Sequence, residues 1–340
     1  MANEGNPNFL VDVENTTQAV VIEKTPVEQD IKDLTFLAVL YGQEMQKRKD
    51  RKVGVDYSGV RKSVRRVSGG VNYRVTLDKF LPEVGGTTHG DLTVDTTVVE
   101  TLDTGEFSLS RYYRPYGWNQ DEDLANSGEM AFTSLMTHRR MQAKDGIRFD
   151  LVRDLFRNGD RTTYSLDGLP AMIDNANEYM GIDRSTNPFW RGIEIAVGGS
   201  FEPEGDDSLQ DVIDRASVGQ GMARPDSIWG PRNVWNSWNN RIADNQRLSV
   251  GEIGDWPTNA KNVMFDMIPF FWTAVNPTGE IFIINSDYLY LACHSRNDMR
   301  WTPVQSTPQQ PWTYTGFISV SCQLVCTSAV RHARMTGVTP

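Results

Sequence analysis

Apolar residues recur along the chain with two different periods, which predict long helices separated by β-rich segments. Apolar positions at three- and four-residue spacing run from Val27 to Met45, behind a Thr25–Pro26 helix start. A second helical pattern, from Asn119 to Asn158, predicts a rod about 45 Å long. Residues 1–24 show no helical period, so we expect them to form an extended arm.

Between the two helical patterns, residues 63–117 alternate apolar and polar side chains with a period of two, as β-strands do. Glycine-rich turns separate the alternating runs. The apolar positions include Tyr73, Val75, Leu92, Val94, Phe107 and Leu109. We interpret this segment as a long β-excursion that leaves the body of the protein and returns. Because an isolated hairpin is marginal in water, it must lie on its own subunit or on a neighbouring copy.

The second half of the chain predicts a mixed α/β unit over residues 163–285, followed by a β-rich segment. Asp207 or Ser208 can begin a short helix that runs through Val218. Ser227–Trp229 is expected to be a short strand, and Pro231 to open another helix. Asn276–Gly279 has the composition of a turn.

Composition limits the classes of protein to which the chain can belong. With 340 residues, of which 39% are hydrophobic, it is long enough for two domains and can bury a core. A formal net charge of −10 argues against a surface that grips nucleic acid everywhere, although one patch could still contact it. The N-terminus does not resemble a signal peptide, and no apolar run is long enough to span a bilayer. The protein is therefore expected to be made and used in the cytosol.

The three cysteines are interpreted as small buried apolar residues in a reducing compartment. Cys322 and Cys326 lie in one predicted strand, about 13 Å apart, which is too far for a disulfide or a shared metal. Cys293 is followed by His294, but adjacent residues of a strand point to opposite faces of the sheet. The two side chains are therefore not expected to bind one metal ion together.

The sequence contains no pattern that predicts a catalytic residue, a cofactor or a metal. Motifs for phosphate loops, dinucleotide binding, serine hydrolases and zinc proteases are missing, and the four histidines are scattered. Asp207, Asp211 and Asp214 share a helical face, where they could bind a cation or form a solvated surface near the helix N-terminus. We favour the solvated surface.

Two charged clusters and a group of tryptophans stand out from this background. Arg61, Lys62, Arg65 and Arg66 form a basic stretch that could contact an acidic partner or packaged DNA, or be a solvated helix end. Asp121, Glu122 and Asp123 could be its acidic partner on another copy. Eight of the nine tryptophans lie in the second half. Most of them are expected in the core, with some anchoring interfaces between copies.

Four stretches of the chain resemble the major capsid proteins of tailed bacteriophages. The most specific is Asp167–Asp174 leading into Tyr179–Arg191, which reads YMGIDRSTNPFWR. Weaker similarities follow in the same order at Arg224–Pro231, Asn285–Leu291 and Gly316–Gly337. Together the resemblance covers roughly residues 60–337.

The resemblance implies an α+β architecture, the Hong Kong 97 type capsid fold. In that fold residues 1–62 would be an N-terminal arm and first helix, and 63–117 an extended β-hairpin, the E-loop. Residues 118–162 would form the long spine helix of a peripheral domain, and 163–285 an axial domain. Residues 286–340 would return to the peripheral domain.

The resemblance further implies a non-enzymatic coat protein that self-assembles into the icosahedral head enclosing double-stranded DNA. Hexamers and pentamers would assemble in the host cytoplasm with a separate scaffolding protein and a portal, without a membrane stage. A decoration protein is a further candidate partner. The candidates for contacts between subunits are Arg61, Lys62, Arg65, Arg66, Tyr73, Val75, Leu92, Val94, Phe107, Leu109, Asp121, Glu122 and Asp123.

Two alternatives fit the same sequence. An encapsulin-type nanocompartment shell has the same implied fold but encloses cargo enzymes instead of a genome. An aromatic-rich α/β binding protein or enzyme would use the tryptophans of the second half to line a pocket. The first alternative predicts shells with protein contents, and the second predicts a monomer or small oligomer.

Overall fold

A computed structural model describes most of the chain beyond residue 63. The described residues are 36–37, 64–70, 72–79, 100–125, 135–157, 165–217, 223–241, 264–307 and 310–340. The predicted arm and most of the first predicted helix lie outside this set. So do four of the candidate contact residues, Arg61, Lys62, Leu92 and Val94.

The described residues form a mixed α+β fold, as the sequence predicted. Its helices are α1 (Gln120–Ala125), α2 (Leu135–Arg157), α3 (Leu169–Ile173), α4 (Leu209–Ala216) and α5 (Arg232–Arg241). The predicted rod from Asn119 to Asn158 is represented by α1 and by α2, whose 23 residues extend about 35 Å. Residues 126–134 between them are outside the described set.

The first sheet is built around one long strand. Its members are β1 (Val64–Val67), β4 (Ser110–Asn119), β10 (Leu289–His294), β11 (Arg300–Trp301), β12 (Gln305–Thr307) and β13 (Gln310–Cys326). β4 runs antiparallel to β13 over ten residue pairs, from Ser110 opposite Cys322 to Asn119 opposite Thr313. Residues 110–117, which the sequence assigned to the excursion, therefore belong to the body of the protein.

The part of the excursion that leaves this sheet is a two-stranded ribbon. It consists of β2 (Asn72–Asp78) and β3 (Leu102–Ser108), paired antiparallel with Tyr73 opposite Phe107. The backbone N–H of Lys79 donates to the carbonyl of Thr101, which extends the pairing by one step.

The second sheet follows the order β5–β14–β9–β6–β8–β7. Its strands are β5 (Ile193–Ala196), β6 (Ser227–Gly230), β7 (Met264–Phe265), β8 (Ile268–Trp272), β9 (Ile281–Ile284) and β14 (Ala333–Thr336). β14 pairs with β5 and β9. The end of the chain thus joins this sheet, whereas the sequence prediction returned all of 286–340 to the other domain.

Several local predictions in the second half are confirmed. The Ser208 hydroxyl accepts from the Asp211 N–H and caps α4, while α5 follows Pro231 and carries Trp235 and Trp238. The predicted strand at 227–229 is β6. Gly279 closes the predicted turn with φ +81°, a left-handed conformation that glycine adopts without strain.

An aromatic cluster joins the second sheet to α2 and to the first predicted helix. Trp229 of β6 is fully buried, stacks on Phe271 at 4.6 Å between ring centroids, and meets the edge of Phe36 at 5.0 Å. Phe36 also contacts Phe156 of α2 at 5.0 Å. Only Phe36 and Leu37 of the first predicted helix are described. Both are helical and both are buried in the core.

Candidate assembly surfaces

The stretch with the most specific family resemblance, residues 179–191, folds around a buried arginine. Arg184 is 0% exposed, and its guanidinium donates three hydrogen bonds to backbone carbonyls. The acceptors are Trp190 at 3.0 Å and, on α3, Ala171 at 2.8 Å and Met172 at 2.6 Å. The side chain thus fixes the loop to α3 and supplies donors to carbonyls that would otherwise be buried without a partner.

The rest of the motif also serves to fix the loop. The Arg191 guanidinium donates to the carbonyls of Arg184 and Ser185, both at 2.8 Å, and the Trp190 indole N–H donates to Tyr179. A Cβ on Gly192 would lie 2.0 Å from the carbonyl oxygen of Ile173, so only glycine fits there. These contacts give the residues a structural role in the loop.

The inner face of the ribbon packs on this motif. The Glu106 N–H donates to the Met180 carbonyl at 2.8 Å, and Tyr73 stacks on Phe107 at 5.5 Å. Phe107 is buried, and Tyr73, Val75 and Leu109 are partly buried against the same core. These four side chains were predicted to contact neighbouring copies, which stays a prediction; within their own chain they pack against the core.

The acidic cluster is divided by the fold. Glu122 is buried, and its carboxylate accepts two hydrogen bonds from Arg139 at 2.6 and 2.8 Å and one from the Asn119 N–H at 2.9 Å. Its charge is therefore neutralised within the subunit, which corrects its assignment to a surface contact. Asp121 is exposed, whereas the Asp123 side chain is outside the described set.

The described half of the basic stretch, Arg65 and Arg66, has partners on the first sheet. The Arg65 guanidinium lies over the Tyr290 ring at 4.1 Å, and Arg66 forms an ion pair with Asp298 at 3.2 Å. Both arginines remain exposed, so each could still approach a second partner.

Hydrogen bonds and an ion pair between polar side chains hold α2 against β4. The Tyr112 hydroxyl donates to Asp154 at 2.8 Å and accepts from the Leu166 N–H at 3.0 Å. Burial is the largest cause raising the pKa of Tyr112 far above its ordinary value of 10.0, so the phenol stays protonated. Arg114, two residues along, pairs with Asp150 of α2 at 2.9 Å.

The opposite face of β4 and β13 carries exposed aromatic rings. We call Tyr113, Pro115 and Phe317 the Tyr113 patch. The exposed fractions of Tyr113 and Phe317 are 66% and 45%, and their ring centroids lie 6.2 Å apart. Since Tyr112, Arg114 and Tyr116 point to α2, alternation places Tyr113 and Pro115 on the uncovered side.

The sequence analysis did not identify the Tyr113 patch, although the signal is present. β4 carries large rings at both odd and even positions, which is typical of a strand covered on both faces. Trp312, at the outer end of β13, is 64% exposed and was among the tryptophans expected to include interface anchors. Trp190 and Trp229 are in the core, as expected for most of them.

The described residues contain no cluster of three His, Cys, Asp or Glu side chains placed to hold a metal ion. The aspartates considered for a cation are engaged otherwise: Arg215 pairs with Asp207 at 3.1 Å and with Asp211 at 2.6 Å. In the part of the chain that the structure describes, no helix has the length and apolar character needed to cross a bilayer.

Comparison with known proteins finds similarity in structure and not in sequence. No protein-family model matches the chain, and no curated protein matches it. A capsid protein of cyanophage A-1(L) superposes with a TM-score of 0.68 at 16% identity, covering 95% of this chain and 98% of the other. The capsid of Myoviridae phage XM1 gives 0.54 at 12%, covering 94% and 96%.

The SrpI encapsulin of Synechococcus elongatus PCC 7942 is also similar, with a TM-score of 0.58 at 12% identity, covering 96% of this chain and 95% of the other. Two of these structures are named as phage capsids and the third as an encapsulin complex, and the similarity extends over nearly the whole of each chain. The chain therefore has the fold that these phage capsid proteins and this encapsulin share.

Proposed function

We propose that this chain is the major capsid protein of a tailed phage, a non-enzymatic subunit that assembles into the icosahedral head around double-stranded DNA. The observation that carries the proposal is the superposition on a cyanophage capsid protein over 95% of the chain. The superposition covers 95% of this chain and 98% of the cyanophage protein, so one capsid fold accounts for nearly all of it.

The exposed apolar groups support assembly into a larger structure. Tyr113 and Phe317 lie side by side on the open sheet face, and Trp312 projects from its end. Such groups are costly to leave in water and are typical of surfaces that another protein covers. In the proposed shell, neighbouring copies cover them in hexamers and pentamers.

The rest of the E-loop is proposed to act outside its own subunit. The base of the ribbon, β2 and β3, is anchored to its own core through Phe107 and Met180. Its outer face is polar and includes the exposed ion pair of Arg74 with Glu106 at 2.6 Å. We propose that this base aims the segment from 80 to 99, with Leu92 and Val94, onto an adjacent copy.

The remaining partners follow from the proposed role. A separate scaffolding protein would direct assembly in the host cytoplasm, a portal would occupy one vertex, and a decoration protein could bind outside. The exposed arginines Arg65 and Arg66, together with Arg61 and Lys62, are proposed to contact either an acidic surface of a neighbour or the packaged DNA.

A second candidate function is that of an encapsulin-type compartment shell. The superposition on SrpI, which covers 95% of that chain, favours it specifically. The two functions share the fold and differ in what the shell encloses.

Negative-stain electron microscopy of the purified protein, expressed with and without its genomic neighbours, tests the proposal. We expect closed shells or capsomer rings tens of nanometres across. Nucleic acid inside the shells would support the phage head, and co-purifying enzyme would support the encapsulin. A small monomer under all conditions, even with a scaffold present, would overturn both and favour a binding protein or enzyme.

A further inference from the structure

Two cysteines face each other directly across the first sheet. Cys293 of β10 is the register partner of Cys322 of β13, in an antiparallel ladder. Neither cysteine forms a disulfide, and both are fully buried. The sequence alone does not predict this pairing, because the pairing depends on strand register. Cys326 was the only partner considered for Cys322.

The ladder also determines which kind of cross-strand pair they form. The Thr327 N–H donates to the Tyr288 carbonyl at 2.9 Å, which marks that pair as hydrogen-bonded. Hydrogen-bonded and non-hydrogen-bonded pairs alternate along an antiparallel ladder, so Cys293 and Cys322, five steps away, form a non-hydrogen-bonded pair.

Non-hydrogen-bonded pairs bring side chains close together. Their Cα atoms lie about 4.5 Å apart, and a disulfide accepts Cα separations of about 4.4–6.8 Å. The Cys293 side chain raises the pKa of the Cys322 thiol, as expected for two thiols that lie side by side. A bond between the sulfurs therefore needs little movement of either strand.

We propose that Cys293 and Cys322 are a latent disulfide, open as made and closed by a disulfide-class oxidant such as oxidised glutathione. The thiolate of one cysteine attacks a sulfur of the oxidant and releases one thiol. The second cysteine then attacks the mixed disulfide and releases the other. The protein loses two hydrogen atoms, one intramolecular S–S bond forms, and the oxidant is reduced to two thiols.

The native environment keeps the pair open until the strands separate locally. The neighbouring Cys293 side chain and then burial raise the pKa of Cys322 well above its ordinary value of 9.0. Since the thiolate is the reacting species, the closed ladder protects the pair. Closure is therefore expected to be slow in the native state and faster when β10 and β13 open.

The disulfide would connect the two ends of the segment from 294 to 321. Residues 294–321 contain β11, β12 and most of β13, and therefore Trp301, Trp312 and Phe317 of the exposed aromatic surface. A disulfide here would close that segment into a loop and stabilise it against unfolding. The inference does not depend on shell formation, since it concerns one subunit.

The experiment is to incubate the full-length protein with excess oxidised glutathione at mildly alkaline pH in sub-denaturing urea. Free thiols are then blocked with N-ethylmaleimide, and peptides are mapped by mass spectrometry without reduction. We expect a Cys293–Cys322 cross-link and an alkylated Cys326, which lies opposite Leu289. The oxidised protein should have a Tm higher by about 5 °C.

Cys326→Ser is the matched control from the same strand, and it should cross-link as the wild type does. Cys322→Ser should give at most a mixed disulfide with glutathione. If that variant fails to fold, the wild-type peptide map still decides. Alkylation of both Cys293 and Cys322 at equilibrium, or a cross-link that includes Cys326, would overturn the proposal whether or not the protein forms shells.

Discussion

At the scale of single residues, Arg184 is fully buried in the described part of the chain. It is a buried cation whose guanidinium donates hydrogen bonds to three backbone carbonyls. We expect Arg184→Lys to lower the free energy of unfolding by about 2–3 kcal/mol, because an ammonium cannot reach three diverging acceptors. Urea denaturation measures this loss.

Arg191→Lys is the control for Arg184→Lys, since Arg191 belongs to the same loop but is exposed. Its replacement should cost clearly less, because water can satisfy the Arg184 and Ser185 carbonyls that it leaves. Equal losses for the two variants would contradict the role given to Arg184.

His332 makes stability depend on pH. It is fully buried, its Nδ1 accepts from the Asn285 N–H, and burial lowers its pKa to about 3. The unfolded chain, with a histidine pKa of about 6.5, binds the proton first as pH falls. The stabilising contribution is thus full above pH 6.5 and declines as pH falls toward 3.

Between pH 7.5 and 5.5, this difference in proton binding should cost the wild type about 1.4 kcal/mol of unfolding free energy. His332→Gln keeps a hydrogen-bond acceptor but cannot titrate. Its loss of unfolding free energy between pH 7.5 and 5.5 should therefore be smaller than that of the wild type by about 1.4 kcal/mol. Urea midpoints at the two pH values give the comparison. Identical pH dependence in the two proteins would exclude His332 as the source.

At the scale of elements, the attachment of α2 to β4 depends on the Tyr112 hydroxyl. Tyr112→Phe removes the donor to Asp154 and the acceptor of the Leu166 N–H, both at a half-buried position. We expect a loss of about 1–3 kcal/mol in unfolding free energy. Tyr113→Phe, an adjacent exposed tyrosine, should change stability by less than about 0.5 kcal/mol. Equal effects in the two variants would show that the Tyr112 hydroxyl does not stabilise the contact between α2 and β4.

The ribbon offers a second test at this scale. A variant in which a short glycine–serine linker replaces residues 81–99 keeps β2, β3 and the packing of Phe107 on the core. We expect a folded, soluble subunit with near wild-type circular dichroism that forms no normal shells under the electron microscope. Normal shells would refute the role proposed for the rest of the E-loop.

The elements themselves were largely predictable, but their partners were not. Local signals identified α4 through Ser208 and the turn closed by Gly279, because capping and turn chemistry act within a few residues. The membership of β4 in the body sheet and of β14 in the second sheet depends on long-range pairing, which periodicity does not encode. Glu122 and Phe107 were likewise predicted to contact other copies, because their burial in the subunit is a property of the fold and not of the local pattern.

At the scale of the whole molecule, the chain combines a formal net charge of −10 with exposed aromatic groups. Like charge repels approaching copies, so association must come from local apolar contact or from screening by salt. We propose that the Tyr113 patch provides such contact on the open face of the first sheet. Recognition between copies is therefore expected to depend on a few rings and not on the overall charge.

The double variant Tyr113→Ser, Phe317→Ser tests this directly. Because both rings are exposed, the isolated subunit should keep its Tm within a few degrees, while shells and capsomer rings should be lost or greatly reduced. Met267→Ser is the matched control: its side chain is 73% exposed at the turn between β7 and β8, away from the patch. If the double variant assembles as the wild type does, another surface drives assembly. If Met267→Ser abolishes assembly equally, the total exposed apolar area matters more than the position of the patch in the sheet.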